Sequence, residues 1–137
     1  MKRIKYNGYI NHLYVDIDLY PGLFIFDPES GAGKTLLCNK LIEGRSIFPN
    51  IAVYSYTHEV RYGRDFNMND FLNADIVIID RYDMLFPKYI KQIEELSKTK
   101  AVVLDYKGSD YIWPFDNIMR VASLTMSKRE IEVYSTW

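Results

Sequence analysis

The chain has 137 residues, 48% of them hydrophobic and 26% charged, which predicts a single globular domain over residues 1–137 with a core large enough to fold alone. Its 17 basic and 18 acidic residues nearly cancel, so the composition excludes the global positive field that draws a protein onto nucleic acid or anionic lipid. A local basic patch stays possible, and nucleic acid is therefore not excluded as a partner.

The cysteine content and the N-terminal segment predict a cytoplasmic protein. Cys38 is the only cysteine, which excludes an intrachain disulfide and a multi-cysteine metal site and fits a reducing compartment. Residues Met1 to Tyr9 are basic and polar, and no apolar stretch of signal-peptide length follows them. No run of about 18 uncharged apolar residues is present, so we expect no contact with a membrane.

The first part of the chain predicts two strands and a helix. Residues Leu13 to Leu19 alternate between apolar and polar side chains, which is typical of a strand with one covered face. After a turn at Pro21-Gly22, the wholly apolar run Leu23 to Phe26 predicts a strand buried on both faces. Apolar residues then recur at helical spacing from Lys34 to about Glu43, and Gly44 ends this helix.

The remainder continues to alternate between strand and helix patterns. The predicted elements are strands at Ile51–Tyr56, Asp75–Asp80 and Ala101–Leu104, a short helical piece at Asn69–Asn73, a helix from Pro87 to Leu96, and two strands at Ile118–Thr125 and Glu130–Tyr134. The last two strands, with a turn near Ser127-Lys128, form a C-terminal β-hairpin. The alternation predicts an α/β fold, with a three-layer, mostly parallel sheet of about five strands and flanking helices.

The loop between the second strand and the first helix predicts a phosphate site. Its sequence, Pro28-Glu29-Ser30-Gly31-Ala32-Gly33-Lys34-Thr35, contains the second half of the pattern GxxxxGK[ST], with Pro28 in place of the first glycine. Backbone N–H groups at a helix N-terminus form an anion-binding nest. The predicted phosphate-binding residues are Ser30, Gly31, Ala32, Gly33, Lys34, Thr35 and Leu36. We expect the Lys34 ammonium to lie between the terminal phosphates and the Thr35 hydroxyl to be a magnesium ligand.

Two aspartates close predicted strands. Asp80 ends an unbroken β-branched run, and we expect it to organise magnesium by holding a water on the metal from the end of a strand adjacent to the loop strand. Asp105 ends the next buried strand. It is either a sensor of the γ-phosphate and its water or a solvated strand end, and the sequence leaves both open.

The chain resembles the P-loop NTPase superfamily over roughly residues 13 to 125. Residues Pro28 to Thr35 resemble the Walker A motif, and Ile76 to Asp80 resemble the Walker B motif. The resemblance implies that a nucleotide and Mg²⁺ bind at the carboxyl ends of the sheet strands, with Lys34 and Asp80 taking part in catalysis.

Missing motifs narrow the expected chemistry. The chain has no LSGGQ-like signature, and Asn39-Lys40 is followed by Leu41-Ile42 rather than completing N-K-x-D, so adenine is favoured over guanine. Arg81 occupies the position where many ATPases have a catalytic glutamate. Glu59 and Asp83 are the candidate residues for activating water.

Three functions remain open at this point. The first is a slow, magnesium-dependent ATPase that gates or drives an interaction with a macromolecular partner. The second is a nucleoside- or nucleotide-type kinase, because Asp80-Arg81-Tyr82 resembles the D-R-Y/F/H segment of thymidylate kinase, although the chain lacks room for the usual arginine-bearing lid. The third is a nucleotide-dependent binding module that does not hydrolyse ATP.

Two features suggest that the partner is a protein or a second copy of the chain. Arg120 and Arg129 are candidate arginine fingers acting in trans, and Tyr111 to Phe115 is a candidate exposed apolar patch.

Overall fold

The computed structural model describes residues 2–27, 33–55, 65–85, 88–106, 113–116 and 120–135. Eight strands and two α-helices lie within these ranges. In chain order they are β1 (Ile4–Ile10), β2 (Leu13–Leu19), β3 (Gly22–Phe26), α1 (Gly33–Glu43), β4 (Ile51–Ser55), β5 (Ile76–Asp80), α2 (Ile90–Ser97), β6 (Ala101–Leu104), β7 (Arg120–Met126) and β8 (Glu130–Tyr134). Short 3₁₀ turns occur at Met68–Phe71 and Tyr82–Met84.

All eight strands belong to one sheet, in the order β1-β2-β8-β7-β3-β6-β5-β4. Strands β7, β3, β6, β5 and β4 run parallel to one another. Strands β7 and β8 pair antiparallel, as the predicted hairpin requires. Strand β8 then pairs in parallel with β2, and β2 pairs antiparallel with β1.

The predicted three-layer, mostly parallel sheet of about five strands is wrong. The sheet is mixed, curled and eight-stranded, with two α-helices in the described ranges and 41% strand against 24% helix. The prediction took the alternation of strands and helices along the chain to mean one mostly parallel sheet, whereas only β7, β3, β6, β5 and β4 are mutually parallel and β8, β2 and β1 are added beyond β7. The predicted C-terminal hairpin continues the sheet past β7: β8 pairs with β2 through the backbone, and β2 pairs with β1.

Strand β1 was missed because its segment has a basic and polar composition. A strand with one covered face needs apolar side chains only at every second position. Ile4 and Tyr6 are partly buried against the core, whereas Lys5, Asn7 and Tyr9 are exposed. The segment pairs with β2 from Ile4 opposite Leu19 to Ile10 opposite Leu13.

Core residues lie on both faces of the central parallel strands, and one helix packs against each face there. Leu37 and Leu41 of α1 pack with one set of strand side chains, including Phe24 and Ile78. On the opposite face, Ile93 and Leu96 of α2 pack with alternate residues of the same strands: Leu23, Val77, Ile79, Val102 and Leu104. This continuous burial explains why β3, β5 and β6 are almost wholly apolar.

Trp113 and Phe115, which belong to the predicted apolar patch, pack against the core. Phe115 is buried, with its ring 5.8 Å from that of Tyr82, and Trp113 is half-buried, 5.0 Å from Phe115. Residues 111–112 lie outside the described ranges. Over the part of the chain that is described, neither α-helix has the length and apolar character needed to cross a lipid bilayer.

Candidate functional site

The carboxyl ends of four parallel strands meet at one edge of the sheet. In spatial order β3, β6, β5 and β4, these strands are closed by Asp27, Asp105, Asp80 and Ser55. Parallel strands necessarily place their carboxyl ends on the same side, which is where ligands bind in many open sheets. The polar residues that follow the buried strands are therefore gathered at one edge.

Lys34 lies at this edge because α1 begins immediately after the loop that follows β3. It occupies the first turn of the helix, where backbone N–H groups lack intrahelical acceptors. The residue is only 8% exposed. Its Nζ lies 3.8 Å from Oδ1 of Asp105, which follows the adjacent strand β6. The ammonium thus sits between the helix N-terminus and the strand ends.

Asp105 is fully buried, with 0% of its surface exposed. No side chain or backbone N–H in the described ranges donates a hydrogen bond to either carboxylate oxygen. Its backbone is well anchored: the N–H donates to the Ile79 carbonyl at 2.9 Å, and the carbonyl accepts from the Tyr82 N–H at 2.7 Å. The carboxylate is therefore held in place by its backbone, with Lys34 as a close cation.

Asp80 is the last residue of β5 and is buried. Its Oδ2 accepts a hydrogen bond from the Ser55 hydroxyl, with an Oγ–Oδ2 distance of 3.5 Å. The expectation that its strand is adjacent to β3 is wrong, because β6 lies between them. Strands are spaced by about 4.8 Å, so β5 and β3 are about 10 Å apart. A ligand that contacts both Lys34 and Asp80 must span that gap.

Arg81 turns the chain sharply after Asp80. Its backbone adopts φ 57° and ψ 48°, in the left-handed region that residues other than glycine rarely occupy. Residues held in such conformations cluster at functional sites. Its guanidinium donates to Asp83, with Nε–Oδ1 and Nη2–Oδ2 distances of 3.2 and 3.0 Å. These hydrogen bonds, and the charges of Asp83, Asp80 and Asp105, raise the pKa of Arg81.

The remaining predicted residues divide into two groups. Thr35 and Leu36 are exposed on the first turn of α1, and Gly33 begins the helix against β7. Ser30, Gly31, Ala32 and Glu59 lie outside the described residues. Lys34 and Asp80 thus lie at the same edge of the sheet but on either side of β6, and Asp83 accepts hydrogen bonds from Arg81.

Two contributors to this edge were not predicted as site residues. Ser55 approaches Asp80 because β4 pairs in register with β5, Ser55 opposite Asp80. Asp105 was considered at the sequence level, but its contact with Lys34 depends on the order of the strands. The sequence offered one signal for Ser55 and Asp105: each is a polar residue at the end of an apolar strand.

The candidate arginine fingers occupy different edges. Arg120 begins β7, and its Nη1 lies 2.9 Å from where a Cβ on Gly22 would be, so it is at the amino end of β3. Arg129 follows β7 at the carboxyl edge, where its side chain is exposed and its carbonyl accepts from the Tyr14 N–H at 2.8 Å. Only Arg129 is on the same side of the sheet as Lys34.

The chemistry available at this edge is that of anion binding next to hard oxygen ligands. A buried ammonium and a helix N-terminus attract negative charge, and carboxylate and hydroxyl oxygens suit a hard divalent cation. The described residues include no group of three or more His, Cys, Asp or Glu side chains that could hold a metal ion. No protein-family model matches this chain, and a search of curated proteins found no matching sequence.

Proposed function

We propose that the chain binds ATP together with Mg²⁺ and that the phosphates occupy the segment from Ser30 to Leu36. The observation that carries this proposal is the position of Lys34, a nearly buried ammonium on the first turn of α1, next to the carboxyl edge of the strands. A buried cation is costly unless a negative charge compensates it. Here the Asp105 carboxylate lies 3.8 Å from the ammonium, longer than a hydrogen bond, so Lys34 can also take a second anion.

The local physics favours a polyphosphate over other anions. The first N–H groups of an 11-residue helix point toward the loop, and the helix dipole adds a partial positive charge. Lys34 supplies a full charge within reach of the same place. Several phosphoryl groups in a row can contact both the helix terminus and this ammonium, which a single carboxylate cannot do.

The residues at the edge fit magnesium. Mg²⁺ usually keeps several waters and is held by one or two protein oxygens plus phosphate oxygens. The Thr35 hydroxyl and the Asp80 carboxylate would hold it, the latter oriented by Ser55. When bound, the ion neutralises phosphate charge during phosphoryl transfer. Asp80, on a strand about 10 Å from β3, is suited to contact the ion through water.

Hydrolysis in this proposal is slow and serves an interaction with a protein partner or a second copy of the chain, in the cytoplasm. Arg81 takes the place of a catalytic glutamate and is bound by Asp83. Both oxygens of Asp83 accept hydrogen bonds from Arg81, which leaves Asp83 less available to orient water. Glu59 remains the second candidate for that role.

The first test is a thermal-shift titration with ATP and Mg²⁺, since a ligand that binds the native state raises Tm by mass action. Lys34→Ala should abolish the rise in Tm that ATP causes. Lys40→Ala is the matched control, because it removes the same charge from the same helix at a site paired with Glu43. Equal ATP-dependent shifts in wild type and Lys34→Ala would overturn the assignment.

The second test separates the metal from the nucleotide. Asp80→Asn should reduce the additional rise in Tm caused by Mg²⁺ at fixed ATP more than the rise caused by ATP alone. Asp70→Asn, at an exposed position, removes the same charge and should behave as wild type. An unchanged magnesium increment in Asp80→Asn would show that Asp80 does not organise the ion.

A further inference from the structure

The electrostatics of Asp105 are unusual for a buried group. A carboxylate removed from water loses its hydrogen bonds to water and normally replaces them with hydrogen bonds inside the protein. Asp105 is 0% exposed, yet no described group donates a hydrogen bond to its Oδ1 or Oδ2. Its negative charge must therefore be compensated mainly by nearby cations.

Two cationic side chains, Arg81 and Lys34, lie near Asp105, and they differ in how far other carboxylates already engage them. Arg81 is close enough for its own titration to respond to Asp105, but its guanidinium is hydrogen-bonded through two nitrogens to Asp83. Lys34 is the closer partner, with Nζ 3.8 Å from Oδ1 and its side chain 11% exposed. Asp80 adds a second negative charge near Arg81. The main compensation for Asp105 is thus the same ammonium that we propose binds phosphate.

We propose that Asp105 is the counter-ion of Lys34 in the nucleotide-free protein and that it competes with phosphate for this ammonium. The inference rests on the proposed function, because it concerns how the same lysine is shared. When phosphate approaches, the attraction between Lys34 and Asp105 is divided between two anions, and the buried carboxylate also repels the incoming charge. Asp105 therefore weakens the binding of free polyphosphates and compensates the charge of Lys34 in the empty site.

This role differs from that of a residue that contacts the nucleotide. A contact residue loses affinity when it is neutralised. A competing counter-ion gains affinity for the anion, because neutralisation releases the ammonium and removes a repulsion at the same time. Asp105 is a positioning residue in this sense, acting through Lys34.

The binding test uses ATP and tripolyphosphate without magnesium, in the presence of a chelator, with Kd measured by calorimetry. Asp105→Asn should bind both ligands about tenfold more tightly than wild type, since one unit charge is removed from a partly buried site. Asp70→Asn removes an exposed carboxylate and should leave both Kd values unchanged. Asp105→Ser, a smaller neutral side chain, repeats the comparison if the asparagine variant does not fold. Equal or weaker binding by the neutral variants overturns the proposal.

A measurement on the empty protein tests the counter-ion role without nucleotide. Limiting acylation followed by peptide mass spectrometry should modify Lys34 more slowly than the exposed Lys128 in wild type. Asp105→Asn should accelerate Lys34 modification by at least about threefold, because the ammonium loses the partner that holds it inward. An unchanged Lys34 rate overturns the counter-ion role. If wild type shows no Lys34-dependent ATP binding, the proposed function fails, and the acylation rates alone decide the counter-ion role.

Discussion

At the scale of single residues, burial changes the pKa of a tyrosine next to the proposed site. Tyr82 follows Arg81 and is buried, with its hydroxyl donating to the Lys88 carbonyl at 3.4 Å. Burial, with a smaller contribution from the charge of Tyr106, raises the pKa of Tyr82 to about 12. The folded protein thus keeps this proton in a range where the unfolded chain releases it.

The raised pKa predicts a loss of stability in alkali. Below pH 10, the ordinary pKa of tyrosine, both states hold the proton and the full contribution of Tyr82 to stability is present. As the pH rises from about 10 to about 12, the unfolded state loses the proton first, and stability falls by on the order of 2 kcal/mol. Urea unfolding between pH 8 and 11.5 should therefore decline less steeply in Tyr82→Phe than in wild type. Tyr9→Phe, which removes an exposed hydroxyl, is the control, and parallel curves for Tyr82→Phe and wild type would contradict the prediction.

At the scale of elements, the curled sheet contacts both ends of α1. A Cβ on Gly33 would lie 2.8 Å from Leu124 Cδ2 in β7, and a Cβ on Gly44 would lie 2.6 Å from Ile10 Cδ1 in β1. The helix therefore approaches β7 closely where it begins, and its end is covered by a strand from the far side of the sheet. These contacts place the first turn of α1, and Lys34 with it, at the edge.

Gly44→Ala should destabilise the protein by about 1–3 kcal/mol through overpacking. The added methyl would meet Ile10 Cδ1 and Cγ1 at 2.6 and 2.8 Å, and the Lys40 carbonyl oxygen at 3.2 Å, which as backbone cannot turn aside. Gly8→Ala is the matched control, because its methyl would meet only the Phe48 ring, at 3.3 Å. Chemical denaturation measures both. A stability loss in Gly44→Ala no larger than in Gly8→Ala would show that β1 does not pack on the helix end as described.

At the scale of the whole molecule, the proposed site lies at the carboxyl ends of the parallel strands. The two candidate arginine fingers, Arg120 and Arg129, lie at opposite edges of the sheet. Arg120 is at the amino end of β3, across five strand residues or about 15 Å from the edge that carries Lys34. It can therefore act on a phosphate only in another molecule. Arg129 lies at the same edge as Lys34, but its side chain is exposed in the turn after β7.

The isolated monomer should therefore hydrolyse ATP at well below about 1 s⁻¹, because, among the described residues, Arg81 and Asp83 at this edge are engaged with each other rather than with the phosphates or water. Phosphate release from dilute protein, verified as monomeric, under saturating Mg²⁺ and ATP measures this rate, with Lys34→Ala as background. The rate per chain should rise with protein concentration or with an added partner. Fast turnover that does not depend on concentration would mean that one chain completes the catalytic set, and Glu59 would then be the first residue to replace.

The local elements were predictable because their causes are local. The apolar run of β3, the helical spacing in α1 and the β-branched strand β5 are each written in consecutive residues, and each was placed to within one or two positions. Local patterns also placed Lys34 at the start of a helix and Asp80 at the end of a strand. Strand β1 escaped because composition concealed its alternation.

Apart from β1, the sequence by itself determined where the described strands and helices lie and which polar residues close them, since side-chain period and turn chemistry act over a few residues. Only the tertiary structure decided that the sheet has eight strands, that β6 separates β5 from β3, and that Asp105 is buried beside Lys34. The order of strands depends on pairing between distant segments, and nothing within one strand records its neighbour. The central ion pair of this site is a consequence of that order.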